Sequence, residues 1–178
     1  MSSSQKSEKV ALKVENVSVG HFLIEKAALE STIKEGYAKL DNMALNFSNP
    51  YEVLFLIQQG KVAGTDGSAI SFSEMFKRLE DRIELTKYLV YKELRSKGYA
   101  VKLSPVEVFD LLANRGSNGY YVKILREGEN YSVEDLTRFV KLSIKHRKEA
   151  LVAIVERNGD VYFYRLFQIS GVSIEGIN

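Results

Sequence analysis

A row of basic residues in the second half of the chain has a spacing that suits phosphate binding. Its members recur at intervals of three or four positions and are Arg138, Lys141, Lys145 and Lys148. A helix would align them on one face, where bound phosphates would relieve their mutual repulsion and release counterions. The alternative is an ordinary solvated lysine face on a helix whose first turn is acidic. The pattern alone leaves both interpretations open.

His146 falls inside this row and is one of two histidines, the other being His21. An imidazole titrates near neutral pH, so His146 is a candidate general acid or base. A histidine at a helix end can also be a polar residue that the terminal carbonyls stabilise. The chain has no cysteine, which excludes thiolate nucleophiles, disulfides and cysteine-ligated metals. Because the two histidines are also far apart, we predict neither a metal site nor a cofactor.

The composition is that of an ordinary globular protein, with 45% hydrophobic residues, 27% charged residues and a net charge of +2. So small a net charge does not by itself indicate a nucleic-acid partner. No apolar run approaches the roughly 18 residues that cross a bilayer, so we expect no membrane partner. The N-terminus "MSSSQKSEK" lacks the apolar core of a signal peptide. We expect a disordered tail over residues 1–9 and a cytoplasmic location.

The elements that must position the basic row form a regular order in the second half. A helix over Arg82–Lys97 ends before Gly98. The segments "YAVKL", "EVFDLLA" and "YYVKILRE" read as strands, with the loop "NRGSNG" before the third. A helix then covers "SVEDLTRFVKLSIKHRK", and "ALVAIVE" and "VYFYRLFQI" form two strands around the turn "RNGD". This order predicts an α/β (α+β) unit with a mixed sheet.

The first half predicts a second, small mixed α/β unit. One helix lies around Leu23–Glu35, ended by Gly36, and another begins at Pro50 after a cap at Ser48 or Asn49. Its other features are a hairpin turning at Asp66-Gly67 and a helix opened by Ser71 with Glu74. We place the domain boundary near residue 82, which gives an N-terminal α/β domain over 10–82 and a C-terminal α/β domain over 83–178.

Several of these segments, taken in order, resemble the archaeal tRNA-intron splicing endonucleases. The resemblance is carried by "YLVYKELRSKGYAVK" and by "LTRFVKLSIKHRKEALVAIVERNGDVYFYRL", whose F-V-x-L-x-x-x-x-R-K-x-x-x-x-A-x-V pattern is similar to the family's lysine-bearing helix and strand. "NPYEVLFLIQQGKV" and "ISFSEMF" look like the family's N-terminal domain. The resemblance covers the chain from about Phe47 onward. It implies a nuclease-like fold for the C-terminal domain and RNA cleavage without a metal.

The resemblance implies a tyrosine that activates the ribose 2′-hydroxyl, a histidine that protonates the leaving oxygen, and a lysine that stabilises the phosphorane. The lysine corresponds to Lys148. The tyrosine position holds Leu112, or Ala113 if the gap is moved. The histidine position holds Asn118 or Ser117, and an ungapped count gives Tyr120, a poor leaving-group acid. These replacements imply a chain that does not cut RNA alone.

The resemblance, together with the replaced tyrosine and histidine, implies that this chain is the structural subunit of an α2β2 assembly. The other subunit would be the catalytic one. The substrate implied is intron-containing pre-tRNA, cut at bulge-helix-bulge sites to give 2′,3′-cyclic phosphate and 5′-hydroxyl ends. The resemblance also implies docking by an acidic hairpin, here Glu156 and Asp160, and by pairing of the last strand between subunits. Tight turns favour asparagine, glycine and aspartate in any case.

RNA contact is expected from Arg138, Lys141, Lys145 and Arg165. Lys141 matches a position where the family holds a flipped base with arginine, but lysine lacks the planar stacking face. Two other hypotheses stay open. One is a self-sufficient nuclease with relocated groups such as His146, Lys148 and Tyr120; the other is a stand-alone RNA-binding or scaffold module.

Overall fold

The computed structural model describes residues 8–14, 20–41 and 44–168. Most of the predicted N-terminal tail, residues 1–7, and the last residue of "VYFYRLFQI", Ile169, lie outside the described residues. The chain folds as two compact units, Met1–Lys92 and Glu93–Asn178. This division falls within a helix, ten residues beyond the boundary predicted near residue 82, so the bounds 10–82 and 83–178 stay a prediction.

The described residues of the first unit form a five-stranded mixed sheet, three complete helices and the start of a fourth. In chain order its elements are β1 (Lys9–Val14), β2 (Gly20–Glu25), α1 (Lys26–Lys34), β3 (Ala38–Asp41), β4 (Ala44–Phe47), α2 (Pro50–Gln58), β5 (Val62–Gly64) and α3 (Phe72–Arg78). The strand order is β3-β4-β1-β2-β5, with β1 and β4 parallel and the other pairs antiparallel. The mixed α/β architecture predicted for this part is confirmed.

The predicted start of the first helix at Leu23 is wrong, because Gly20–Glu25 is strand β2 and α1 begins at Lys26. Strand β2 pairs with both β1 and β5, and alternation buries Phe22 and Ile24. Pairing on two sides overrides the local helical preference. The predicted stop is confirmed, since Gly36 follows α1 with a φ of 73°.

Local end signals were predicted well elsewhere in this unit. Asn49 caps α2 by accepting a hydrogen bond from the Glu52 backbone N–H, and Pro50 occupies the first turn. Ser71 caps α3, because its hydroxyl oxygen accepts a hydrogen bond from the Glu74 backbone N–H. The predicted turn at Asp66-Gly67 is present, with Gly67 at a φ of 82° and a single bridge between Ala63 and Ala69.

A buried polar network joins α2 to the next helix, α4 (Leu85–Ser96). The Glu52 side chain is fully buried and accepts a hydrogen bond from the Tyr91 hydroxyl. The Tyr88 hydroxyl donates to Gln58 Oε1 at 2.6 Å. Burial first, and the Glu52 charge second, raise the pKa of Tyr88 above the ordinary tyrosine value. These pairs connect the two helices through satisfied polar groups.

The second unit is a five-stranded mixed sheet covered by one further helix. Its elements are β6 (Ala100–Leu103), β7 (Leu111–Arg115), β8 (Asn118–Arg126), α5 (Val133–Lys145), β9 (Glu149–Val155) and β10 (Val161–Leu166). The strand order is β10-β9-β8-β7-β6, with β8 and β9 parallel. Helix α5 packs on the sheet over Phe139 and Val140, which share a buried cluster with Leu125 and Val152. The predicted order of helix, three strands, helix and two strands is confirmed.

The middle strand lies further along the chain than predicted. The "EVFD" half of the predicted strand is a loop that buries Phe109, while Asp110 Oδ2 accepts the backbone N–H of Ile124 at 2.8 Å. The predicted six-residue loop "NRGSNG" shrinks to the turn Gly116-Ser117, where Gly116 has a φ of 59°. Its outer residues extend β7 and β8 because they pair across this tight turn.

Candidate functional site

The site is built around Lys148, which lies at the junction between α5 and β9. Helix α5 ends at Lys145 with His146 as its C-cap, and Arg147 adopts a left-handed conformation with a φ of 55°. The Lys148 backbone N–H then closes the turn on Ser143 O at 2.9 Å. The predicted helix ran through Lys148 and was too long. Lys148 is therefore off the helix, and the helical row contains only the other three cations.

The Lys148 side chain lies across β8 at Gly119. Its Nζ donates to Asn114 Oδ1 at 3.4 Å, the one hydrogen bond that this amine makes with the described residues. A Cβ atom added to Gly119 would lie 2.2 Å from Lys148 Nζ and 2.6 Å from its Cδ. Gly119 is thus needed for close approach, because any larger residue would occupy the space of the lysine.

Strand pairing determines which candidate residues share a face with Lys148. Leu112 opposes Tyr121, and Asn114 opposes Gly119, so alternation puts Leu112 on the Lys148 face, half-buried. Asn118 opposes Arg115 and is exposed. By the same alternation Asn118 lies on the other face.

The remaining alternatives for the two proton carriers are also separated from the Lys148 amine. Ala113 is buried and Ser117 lies in the turn between β7 and β8. Tyr120 faces away from Gly119 and packs edge-on against Tyr99, with ring centroids 5.8 Å apart. Arg115 lies over the Tyr99 ring at 5.5 Å. Tyr120 therefore belongs to an aromatic cluster on the opposite face of the sheet.

A tyrosine and a histidine do meet on the Lys148 face, but they are not the pair considered from the sequence. Tyr121 OH and His146 Nδ1 are hydrogen-bonded at 3.2 Å. The Tyr121 ring stacks on Phe109 with centroids 3.8 Å apart, and His146 lies edge-on to both rings. In the described parts of the chain neither side chain hydrogen-bonds to Lys148. The sequence signal for Tyr121 is its position two residues after Gly119, because strand alternation puts both residues on the same face of the sheet.

The three cations of α5, Arg138, Lys141 and Lys145, are exposed and form no ion pair with any residue that the structure describes. Arg165 differs, because its guanidinium contacts Glu149 Oε2 at 3.1 Å. Three helical positive charges are therefore free for an anionic partner, whereas Arg165 is partly neutralised.

The turn between β9 and β10 carries Glu156 and Asp160. The Glu156 N–H donates to Asp160 O at 2.9 Å, and Asn158 Nδ2 donates to Asp160 Oδ2 at 2.9 Å. The two carboxylates, Glu156 first, raise the pKa of the neighbouring Tyr162 hydroxyl. The turn thus carries two carboxylates together with the exposed cation Arg157.

Strand β10 is an edge of its sheet and pairs only with β9 among the described strands. Its outer aromatic residues are exposed, with Tyr162 at 46%, Tyr164 at 52% and the following Phe167 at 76% of their full accessible surface. An unpaired edge with large apolar side chains is typical of a surface that another chain covers.

Within the described ranges 8–14, 20–41 and 44–168, no group of acidic residues or histidines is arranged to hold a metal ion. No described helix is both long and apolar enough to cross a membrane.

The sequence of this chain matches known proteins over most of its length. Residues 85–163 match the family model "tRNA intron endonuclease, catalytic C-terminal domain". A tRNA-splicing endonuclease from Pyrococcus abyssi is 32% identical over 151 residues, 80% of this chain and 86% of that protein. One from Methanococcus maripaludis is 28% identical over 154 residues, with 81% and 86% covered. The Holliday junction resolvase Hjc of Archaeoglobus fulgidus matches 45% of this chain and 69% of its own at 18% identity and a TM-score of 0.40.

The second unit thus carries the sequence of the tRNA intron endonuclease family model, with a lysine at the junction of α5 and β9. More narrowly, the chain belongs to the tRNA-intron splicing endonuclease family.

Proposed function

We propose that this chain is the structural, non-catalytic subunit of a tRNA-splicing endonuclease. The observation that carries the proposal is the position of Leu112. It shares the face of Lys148 and stands where the resemblance implies a tyrosine. A leucine can neither accept nor donate a proton, so the general-base step has no carrier there.

The other two functional positions support the same proposal. Asn118, at the implied histidine position, is an amide and lies on the face away from Lys148. Lys148 keeps its positive charge, which can stabilise an anion but cannot replace an acid and a base. Its amine also has a partner in Asn114. We propose that Lys148 retains at most a role in binding phosphate.

The assembly that we propose is an α2β2 tetramer with a catalytic endonuclease subunit, acting in the cytoplasm. The negatively charged turn at Glu156 and Asp160 would dock into a positive groove of that subunit. The exposed edge of β10 would pair with another subunit, which would also remove an aggregation hazard. Arg138, Lys141 and Lys145 would contact the pre-tRNA backbone.

The reaction of the proposed assembly is removal of pre-tRNA introns at bulge-helix-bulge sites by metal-independent cleavage, giving 2′,3′-cyclic phosphate and 5′-hydroxyl ends. The test uses three samples: this chain alone, its native catalytic partner alone, and the two together on an intron-containing pre-tRNA. We expect cleavage only in the mixture. Cleavage by the partner alone at the same rate as the mixture would reject the proposal.

One observation favours a second candidate, a self-sufficient nuclease. Tyr121 and His146 form a hydrogen-bonded pair on the same sheet face as Lys148, which differs from the Tyr120 arrangement considered from the sequence. This candidate predicts cleavage by the purified chain alone, lost in both Tyr121→Phe and His146→Ala. The same variants should leave cleavage by the mixture unchanged if the structural-subunit proposal holds.

A further inference from the structure

The geometry points to a binding site for one nucleoside monophosphate unit, free or within an RNA strand, in a cavity between α5 and β8. The cavity holds about 270 Å3. Its lining combines apolar, aromatic and charged side chains: Val108, Lys123, Leu125, Tyr131, Asp135, Leu136, Arg138 and Phe139. The RNA-strand form of this inference rests on the proposed function, whereas the free-nucleotide form does not.

The inner wall of the cavity suits a flat apolar body. Leu125 and Phe139 are buried members of the sheet–helix core, and Val108 and the Tyr131 ring form the sides. The Tyr131 hydroxyl is occupied, because it donates to Glu129 Oε2 at 2.6 Å and accepts the Arg126 N–H at 2.7 Å. Tyr131 therefore presents its ring to a ligand. The volume lies near the lower limit of ligand pockets, roughly 300 Å3, so one base fits and a dinucleotide does not.

The rim supplies a cation for phosphate and an acceptor for a base. The Arg138 guanidinium is exposed and has no hydrogen bond or ion pair with the described residues, so both of its edges can bind phosphate oxygens. The Asp135 carboxylate can accept a hydrogen bond from an exocyclic amino group. Lys123 lies 3.6 Å from Asp110. Because Lys123 is paired with Asp110, Arg138 is the cation of the lining that is available for a ligand, and one cation suits a single phosphate group.

This cavity is separate from the Lys148 amine. Lys123 follows Gly119 by four positions on β8, which is about 13 Å along a strand. A ligand of one nucleotide in the cavity would therefore leave the space around Lys148 and Asn114 unoccupied.

The test is calorimetric titration of the full chain with 5′-AMP, 5′-CMP, 5′-UMP and inorganic phosphate, and separately with a single-stranded oligoribonucleotide. We expect AMP and CMP, which carry an exocyclic amino group, to bind more tightly than UMP. Arg138→Ala should weaken binding about tenfold through the lost charged hydrogen bonds. Val108→Trp, which fills the cavity, should abolish nucleotide binding.

Lys77→Ala is the matched control, since it removes one exposed helical cation that neither lines the cavity nor belongs to the proposed RNA contacts. It should leave mononucleotide affinity unchanged and reduce oligonucleotide affinity less than Arg138→Ala does. If Val108→Trp does not fold, as judged by circular dichroism, Asp135→Asn takes its place. That variant should reduce the preference for AMP over UMP.

If the cavity variants weaken binding of mononucleotides, the ligand is a free nucleotide. If only oligonucleotide binding is seen and the cavity variants weaken it, the ligand is a nucleotide within an RNA strand. Absence of binding in both arms overturns the inference. So does binding that the cavity variants leave unchanged, or inorganic phosphate binding as tightly as AMP. Because no arm uses cleavage, a negative result here leaves the mixing assay of the proposed function as a separate question.

Discussion

At the scale of single residues, the position of Lys148 depends on Gly119, which has no side chain to occupy the same space. Gly119 leaves room for the lysine to lie over β8, and Asn114 receives its amine. The lysine is the end of a flexible side chain, so it can move away from an added methyl group at moderate cost. What it would lose is the contact with Asn114.

Gly119→Ala should therefore lower the free energy of unfolding by about 1 kcal/mol, a typical value for a point substitution. In a Lys148→Ala background the same change should cost less, because the lysine is then not displaced and only Asn114 Oδ1, 2.9 Å from the added Cβ atom, has to move. Chemical denaturation of the four proteins in this double-mutant cycle measures the difference. Equal costs in the two backgrounds would show that Lys148 does not occupy the space over Gly119.

Tyr88 leads to a prediction about pH. Burial raises its folded-state pKa above the unfolded value of about 10. Below pH 10 the Tyr88 hydroxyl is protonated in both the folded and the unfolded states, and the free energy of unfolding keeps its full value. Above pH 10 this free energy falls, because Tyr88 loses its proton in the unfolded state before it does so in the folded state. We expect Tyr88→Phe to reduce the fall in unfolding free energy above pH 10, measured by urea denaturation across pH. Tyr164→Phe, at an exposed position, should leave that pH dependence unchanged.

At the scale of elements, helix caps were predictable from the sequence because they depend on hydrogen bonds to nearby backbone groups. Strand register was not predictable, because it depends on pairing with distant strands. Asn49, one of two caps predicted for α2, and Ser71 were predictable because their side chains accept hydrogen bonds from N–H groups three positions on. The register of β7, in contrast, depends on its pairing with β6 and β8. Tyr121 and His146 likewise meet only because α5 returns the chain to the same sheet face.

The cap of α5 can be tested directly. Ser132 Oγ accepts the N–H groups of Glu134 and Asp135 at 3.1 and 3.4 Å. Ser132→Ala should cost about 1 kcal/mol of stability, whereas Ser132→Asp should cost little because aspartate caps as well. Thermal unfolding compares the two variants. An equal loss in both would mean that the cap does not contribute.

At the scale of the whole molecule, the proposed assembly depends on charged residues of the β9–β10 turn and not on the sheet face of Lys148. The mixed sheet and its helix order followed from the sequence pattern, since hydrophobic periodicity determines them. The acidic pair Glu156 and Asp160 was expected from the family resemblance, and the structure adds that both carboxylates lie close enough to Tyr162 to raise the pKa of its hydroxyl.

Reversing the charge of this acidic pair should weaken assembly without unfolding the chain. Glu156→Lys with Asp160→Lys should reduce affinity for the catalytic subunit at least tenfold at low salt, and less at high salt where charges are screened. Sedimentation of the mixed subunits measures the effect. The unfolding free energy of the isolated chain serves as the control, and unchanged affinity in the variant would exclude this turn from the interface.

The parallel pairing of β8 with β9 has a consequence for where this chain can accept insertions. Both strands start at the same end of the sheet, so Gly119 and Lys148 are neighbours however long the crossover between them becomes. Extra residues in the 127–132 connection would lengthen the loop between β8 and α5, away from Lys148. One residue inserted between His146 and Glu149 would instead turn the side chain at the lysine position to the other face of the sheet. We therefore expect this chain to tolerate a one-residue insertion before α5 better than one after it, and chemical denaturation of the two insertion variants would measure the difference.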